Sequence, residues 1–341
     1  MTSIDWRELY ASNRAVIERA GGAPGPLPSA SDGAWEEQTS TVGGRTRHAL
    51  VHPPAGVDPQ TAVPLVCMLH GCTQDAAGFA AATLMNEAAD RHGFVAVYPQ
   101  QERGENPQAC WNWFLPEHQA RGAGEPASIA AIVRELMGTT SRWTIDASRV
   151  FVAGLSAGGA MAAILGAVYP DLFAAIAVHS GLAYRSAGSM GAAFTAMARG
   201  AEDPVGAGRA AHAARGDLAR PVPTMVVHGS ADTTVAPVNA EQVLQQSMTA
   251  NRLAAPETCD LDPSHPTATS RGRVDGGLSY ASRRWTDRRG ALMHEVLAVD
   301  GLAHAWSGGA PGGSYTDPRG PDATEAIWRF FAEATAGRPA G

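Results

Sequence analysis

No lysine occurs anywhere in the 341 residues; every basic side chain other than histidine is an arginine. That absence excludes Schiff-base lysines, Ser-Lys dyads and the lysine of a Walker-A phosphate loop. Basic blocks are missing too, and with a formal net charge of -7 the chain argues against a nucleic-acid partner. No stretch approaches the roughly 20 continuous apolar residues of a membrane span, so no membrane partner is expected. The first residues, Met1-Thr2-Ser3-Ile4-Asp5-Trp6-Arg7-Glu8, lack the apolar core of a signal peptide. As written the chain reads as cytoplasmic, and as secreted if a leader was trimmed. Cysteine is scarce: Cys67, Cys72, Cys110 and Cys259 are too few and too irregular for a disulfide scaffold or a zinc site. Cys67 lies in an apolar strand and reads as core. Cys72 and Cys110 could pair if the compartment is oxidising; the unpaired state is the expectation.

What is present is an ordinary globular composition, 45% hydrophobic and 17% charged, long enough to bury a full core as one large α/β domain or two smaller ones. Residues 1–36 read as an arm, an amphipathic helix over 4–20 followed by a Gly/Pro-rich linker. Residues 37–336 read as the main domain. It opens with the antiparallel-type alternation of Arg47-His48-Ala49-Leu50-Val51. The continuous apolar run Pro64-Leu65-Val66-Cys67-Met68-Leu69 then marks a strand buried on both faces. Strands are expected at 94–98, 150–153, 174–178, 224–227 and 292–298, and helices at 77–89, 127–137, 160–168, 237–248 and 322–334. This alternation predicts an α/β class, with a doubly wound, mostly parallel sheet and helices on both faces. Two stretches, 101–125 and 183–219, fit no element and each follows a strand end. They read as loop insertions near a site. No internal repeat stands out, and oligomeric state has no signature.

The most informative segment is Val150-Phe151-Val152-Ala153-Gly154-Leu155-Ser156-Ala157-Gly158-Gly159. In a chain with 38 glycines, Gly-x-Ser-x-Gly by itself proves little; its position decides. A β-branched and aromatic run, then the motif, then small helix formers reads as strand, sharp turn and helix, which is the setting of a nucleophile elbow. Gly154 and Gly158 are expected because side chains there would strike neighbouring backbone. The similar Gly277-Leu278-Ser279-Tyr280-Ala281 reads as a loop.

A serine hydroxyl needs a base, and the base a carboxylate to orient it. In the α/β-hydrolase fold the chain order is Ser, acid, His. Asp232 follows the apolar run ending at Val227, and His304 follows the last strand. Of eleven histidines, only His304 comes after both Ser156 and Asp232 at a strand's C-terminal end. His70, His179 and His228, each beside or near a glycine at a strand end, read as turn or packing residues. The oxyanion donors are expected from the amides of Ala157 and, after Leu69-His70-Gly71, Cys72. Trp111, Trp113 and Trp306 lie near these loops and are candidates for substrate contact, with core packing as the rival reading. Neither a metal nor another cofactor is called for.

Jointly, Leu69-His70-Gly71-Cys72-Thr73-Gln74, Cys110-Trp111-Asn112-Trp113-Phe114, Gly124-Glu125-Pro126-Ala127-Ser128-Ile129, the elbow, His228-Gly229 with Asp232-Thr233-Thr234-Val235, and His304-Ala305-Trp306-Ser307-Gly308-Gly309 resemble the poly(3-hydroxybutyrate) (PHB) depolymerase family of esterases, whose relatives include feruloyl esterases. The matches run from about residue 40 to 332. The resemblance implies a Ser156, Asp232, His304 triad, a Cys72 oxyanion donor and short-chain hydroxyalkanoate esters as substrate. Ala303 departs from the glycine frequent there. Depolymerases of crystalline polymer resemble secreted proteins with an added C-terminal binding domain, so soluble oligomers or small esters are the expected substrates. The alternatives are a feruloyl or acetyl esterase acting on plant polysaccharide or small aryl esters, and a hydrolase fold that only binds.

Overall fold

The computed structural model describes residues 35–42, 44–138 and 141–336. Apart from Trp35 and Glu36, the expected arm lies outside the described residues. Ten strands form one sheet: β1 (Glu36–Val42), β2 (Arg45–His52), β3 (Val63–Leu69), β4 (Val95–Pro99), β5 (Ile145–Leu155), β6 (Ala175–His179), β7 (Thr224–Gly229), β8 (Ala268–Arg273), β9 (Ser279–Thr286) and β10 (Leu292–Val299). Their order is β1-β2-β4-β3-β5-β6-β7-β10-β9-β8. The central strands β4, β3, β5, β6, β7 and β10 run parallel, while β1 and β2 on one edge and β9 and β8 on the other pair antiparallel.

Side chains alternate across each central strand, and both faces are buried. Leu65, Cys67 and Leu69 of β3 and Val150 and Val152 of β5 enter one apolar cluster. Val66, Met68, Phe151 and Ala153 enter the other. The first cluster is closed by helices α3 (Gly124–Leu136), α4 (Ala157–Val168) and α7 (Val238–Ala254). The second is closed by α1 (Ala76–Thr83), α2 (Met85–His92) and α8 (Ala323–Ala334), with Phe331 stacked on Phe151 at 4.5 Å between ring centroids. Helix α4 is buried on every side, and its run of Ala and Gly lets it lie close against the sheet.

Three expectations are corrected. The helix expected over 77–89 is two helices, because Leu84 takes a left-handed conformation (φ 58°) between α1 and α2. Residues 183–219, expected as loop, hold α5 (Met190–Arg199) and α6 (Pro204–Arg215). Their composition of Ala, Gly and Arg hides the apolar period. The start signals were nonetheless there: Ser189 and Asp203 accept from the amides of Ala192 and Gly206, and Pro204 opens its helix. Finally, 279–281 begins β9 rather than lying in a loop, because its hairpin partner β8 completes the sheet edge. Among the described residues no helix is long and apolar enough to cross a membrane.

Candidate active site

Strand β5 runs straight into α4 through Ser156, whose backbone has φ 57° and ψ -117°. A side chain other than glycine's adopts that conformation only under strain, which the surroundings hold in place. The Ser156 amide donates to the His179 carbonyl at 2.9 Å, and the Ser156 carbonyl accepts from Ala160. A Cβ on Gly154 would stand 2.4 Å from the Gly158 carbonyl, and one on Gly158 would stand 2.0 Å from the Leu69 carbonyl oxygen. The turn is therefore closed to any larger residue at both positions, as the spacing of the motif predicts.

Asp232 and His304 come from the loops after β7 and β10, strands that lie side by side. His304 Nδ1 is 2.8 Å from Asp232 Oδ2. The other carboxylate oxygen accepts from the amides of Thr234 and Val235 at 2.9 and 2.8 Å. Burial by itself raises the Asp232 carboxyl, but the neighbouring His304 and His228 together with these hydrogen bonds outweigh it and hold the group below the ordinary range. Ser156 and His304 line one small cleft with Gly71, Cys72, Gln74, Leu155 and Tyr315. Hydroxyl, imidazole and carboxylate thus come to one place in the order that nucleophilic acyl transfer requires.

The turn after β3 forms the facing wall. In it the Gly71 amide donates to Gln74 Oε1 at 2.9 Å, Thr73 to the Gln108 carbonyl at 2.7 Å and Gln74 to the Gly71 carbonyl. Cys72 lies between them, while Ala157 opens α4, in the first turn of a helix where amides have no partner within the helix. Cys72 is bonded to Cys110, which corrects the expectation of unpaired thiols. The two are 38 residues apart, and their meeting depends on the 101–115 loop folding back onto the β3 turn, a long-range event without a local signal.

A buried polar network backs this wall. Glu125, at the start of α3, accepts from the Asn112 amide, from Asn112 Nδ2 and from Gln101 Nε2 at 2.6–2.7 Å. Gln101 also donates through Nε2 to the Cys110 carbonyl and through its backbone amide to His70 Nε2. His70 Nδ1 donates in turn to the Gly71 carbonyl at 2.8 Å. Burial pushes His70 down to about 4, so the ring is neutral and this tautomer is the one that satisfies both contacts. His179 is likewise held neutral by burial. It accepts from the Ser307 amide through Nε2 and stacks on Trp306 at 4.9 Å. His228 donates through Nε2 to the Val235 carbonyl at 2.8 Å, and the same nitrogen is 3.5 Å from Asp232 Oδ2. Burial lowers the pKa of that ring, while Asp232 and the Val235 contact pull the other way.

The three tryptophans are buried, and none lines the cleft. Trp111 is buried and donates to the His70 carbonyl. Trp113 is buried against Phe114. Trp306 sits between His179 and Phe79 and donates to Thr324 Oγ1. The aromatic wall of the cleft is Tyr315, which the sequence reading passed over. Its one signal was an aromatic inside a Gly-rich segment following the candidate base. Among the described residues no group of three His, Cys, Asp or Glu side chains is arranged to hold a metal.

The family model described as "Esterase PHB depolymerase" matches residues 47–258, well over half of the chain. Poly(3-hydroxyalkanoate) depolymerase C of Paucimonas lemoignei is 43% identical over 204 residues, 57% of this chain and 46% of its own length. Probable acetylxylan esterase A of Neosartorya fischeri is 30% identical over 220 residues, 62% of this chain and 58% of its own length. The chain therefore spans about half the length of the curated relatives it matches. Among solved structures, acetyl xylan esterase from Aspergillus awamori superposes with a TM-score of 0.67 at 21% identity, covering 88% of this chain and 100% of its own. The fold is that of the α/β-hydrolases.

Proposed function

The chain belongs to the PHB depolymerase family of esterases, and from that premise we propose that it is a serine esterase cleaving short-chain hydroxyalkanoate esters, of the oligo- or poly-3-hydroxybutyrate type, through an acyl-enzyme. Ser156 Oγ attacks the ester carbonyl as its proton passes to His304 Nε2, and the carbonyl π pair moves onto oxygen. The amides of Ala157 and Cys72 receive that oxyanion, and Asp232 steadies the imidazolium through Nδ1. Collapse expels the alcohol, which takes the proton from His304. Water then repeats the sequence on the acyl-enzyme, releasing the acid and free Ser156.

The observation that carries this reading is the His304–Asp232 contact of 2.8 Å, with the same imidazole sharing its cleft with Ser156. The substrate class rests on the relatives: the poly(3-hydroxyalkanoate) depolymerase relative at 43% identity supports hydroxyalkanoate esters, and the acetylxylan esterase relative supports acetyl esters as the second reading. The Cys72–Cys110 bond supports an oxidising compartment, since such bonds are rare in the cytosol.

Ser156→Ala is expected to lower p-nitrophenyl butyrate turnover by ~10⁴-fold or more while leaving the thermal midpoint within a few degrees. Turnover undiminished in that variant refutes the nucleophile assignment. A panel of 3-hydroxybutyrate oligomers, acetylated xylan and methyl ferulate, with products identified by mass spectrometry, separates the substrate readings.

A further inference from the structure

The cleft has one aromatic wall, and it is built on a segment that nothing in the triad chemistry requires. Residues 308–320 leave the site after β11 (Trp306–Ser307), loop outward and return to pair it with β12 (Thr316–Asp317). The loop is pinned at several points. The Ala310 amide donates to the Ala82 carbonyl at the end of α1, and a Cβ on Gly309 would stand 2.4 Å from that same oxygen. Thr316 Oγ1 is within 3.0 Å of the Ala310 and Gly313 carbonyls and ties the loop to itself. Gln74 reaches across from the β3 turn and donates through Nε2 to the Ser314 carbonyl at 2.9 Å, while its Oε1 accepts from Gly71. One glutamine side chain thus bridges the turn that carries Cys72 to the residue before Tyr315.

Tyr315 itself is held in a left-handed backbone conformation, φ 53°, with its carbonyl accepting the Trp306 amide. A non-glycine residue stays there only where its surroundings impose it. The consequence is directional: the ring is half-buried against both apolar clusters, edge-on to His304 at 6.3 Å between centroids, and faces the cleft beside Ser156 and Leu155. A side chain fixed on that many sides is a wall rather than a flap.

We propose that Tyr315 is a specificity-determining residue that limits the length of the acyl group the cleft admits. This rests on the reading of Ser156 as acylated nucleophile and extends it from ester hydrolysis to acyl length. A ring in the wall of a narrow cleft rejects extra methylenes by overlap, and one methylene in a fitted apolar site changes kcat/KM by roughly 10- to 200-fold. The limit proposed is one of ring volume, so Tyr315→Phe keeps it and Tyr315→Ala removes it.

The test compares kcat/KM for p-nitrophenyl acetate, butyrate and octanoate in the wild type, Tyr315→Phe and Tyr315→Ala, alongside labelling of Ser156 by a fluorophosphonate. The expected result is a rise of about tenfold or more in the octanoate-to-butyrate ratio for Tyr315→Ala, seen chiefly in KM for octanoate, with Tyr315→Phe matching the wild-type ratio. If Tyr315→Ala folds poorly, Tyr315→Asn replaces it, because asparagine accepts a left-handed backbone more readily and is still short. A wild type that takes the label, with a ratio that moves less than about twofold in the folded truncations, overturns the acyl-length assignment alone. A wild type that takes no label and hydrolyses no ester removes the nucleophile reading and this inference together.

Discussion

Buried histidines make the fold sensitive to mild acid, and the size of the effect can be worked out. His70 and His294 are fully buried, and desolvation lowers them from the ordinary 6.5 to about 4 and about 3. Below pH 6.5 the unfolded chain takes up both protons while the folded chain takes up neither. Stability is therefore complete above pH 6.5 and is lost as pH falls toward the folded values. At pH 4.5 each histidine costs roughly 2–3 kcal/mol relative to pH 8, about 5 kcal/mol together, which is of the order of a whole domain's stability. His179 and His228, also lowered by burial, act in the same sense. Glu125 opposes them: burial raises its carboxyl, so the folded state keeps that proton longer than the unfolded chain does. Asp232, held below the ordinary carboxylate range, contributes stability that is lost only at still lower pH. Urea unfolding at pH 8, 6.5, 5.5 and 4.5 reads the slope directly. Near pH 5.5 His70 and His294 are expected to contribute nearly two protons to it, roughly 2–3 kcal/mol per pH unit, and His294→Gln is expected to remove about half of that share. A free energy of unfolding that changes by less than about 1 kcal/mol between pH 7 and 4.5 refutes the reasoning.

Two further perturbations probe the site's scaffold. Cys110→Ser opens the loop closed by the disulfide between residues 38 positions apart, with an expected loss of up to ~4 kcal/mol by chain entropy. Loosening the Cys72 amide is expected to lower kcat by ~10²-fold; thermal unfolding and butyrate turnover read the two effects separately, and unchanged kcat would speak against Cys72 as an oxyanion donor. Gly158→Ala places a Cβ 2.0 Å from the Leu69 carbonyl oxygen, and a loss of ~4 kcal/mol or an insoluble product is expected; a soluble variant with an unchanged melting midpoint would contradict the crowding.

Much of the fold and of the candidate site was legible without coordinates, wherever the information is local. The strands β3 and β5 announce themselves because a strand covered on both faces must be apolar at every position. The elbow announces itself because Gly154 and Gly158 are the only residues its backbone crowding admits. Asp232 and His304 could be singled out as candidates from many carboxylates and eleven histidines because strand ends and chain order are written along the sequence, and the structure sets the two side chains 2.8 Å apart. What the tertiary structure alone decided depends on which surfaces meet. Trp111, Trp113 and Trp306 and the overlooked Tyr315 are all aromatics near a site. Only packing determines that the tryptophans spend their rings on the core while Tyr315, on a loop pinned at Ser314 by Gln74 and at Ala310 by Ala82, lines the cleft. The pairing of Cys72 with Cys110 and the neutrality of His70 and His179 have the same origin. A contact across 38 residues or a shell of desolvating neighbours leaves no period or spacing to read.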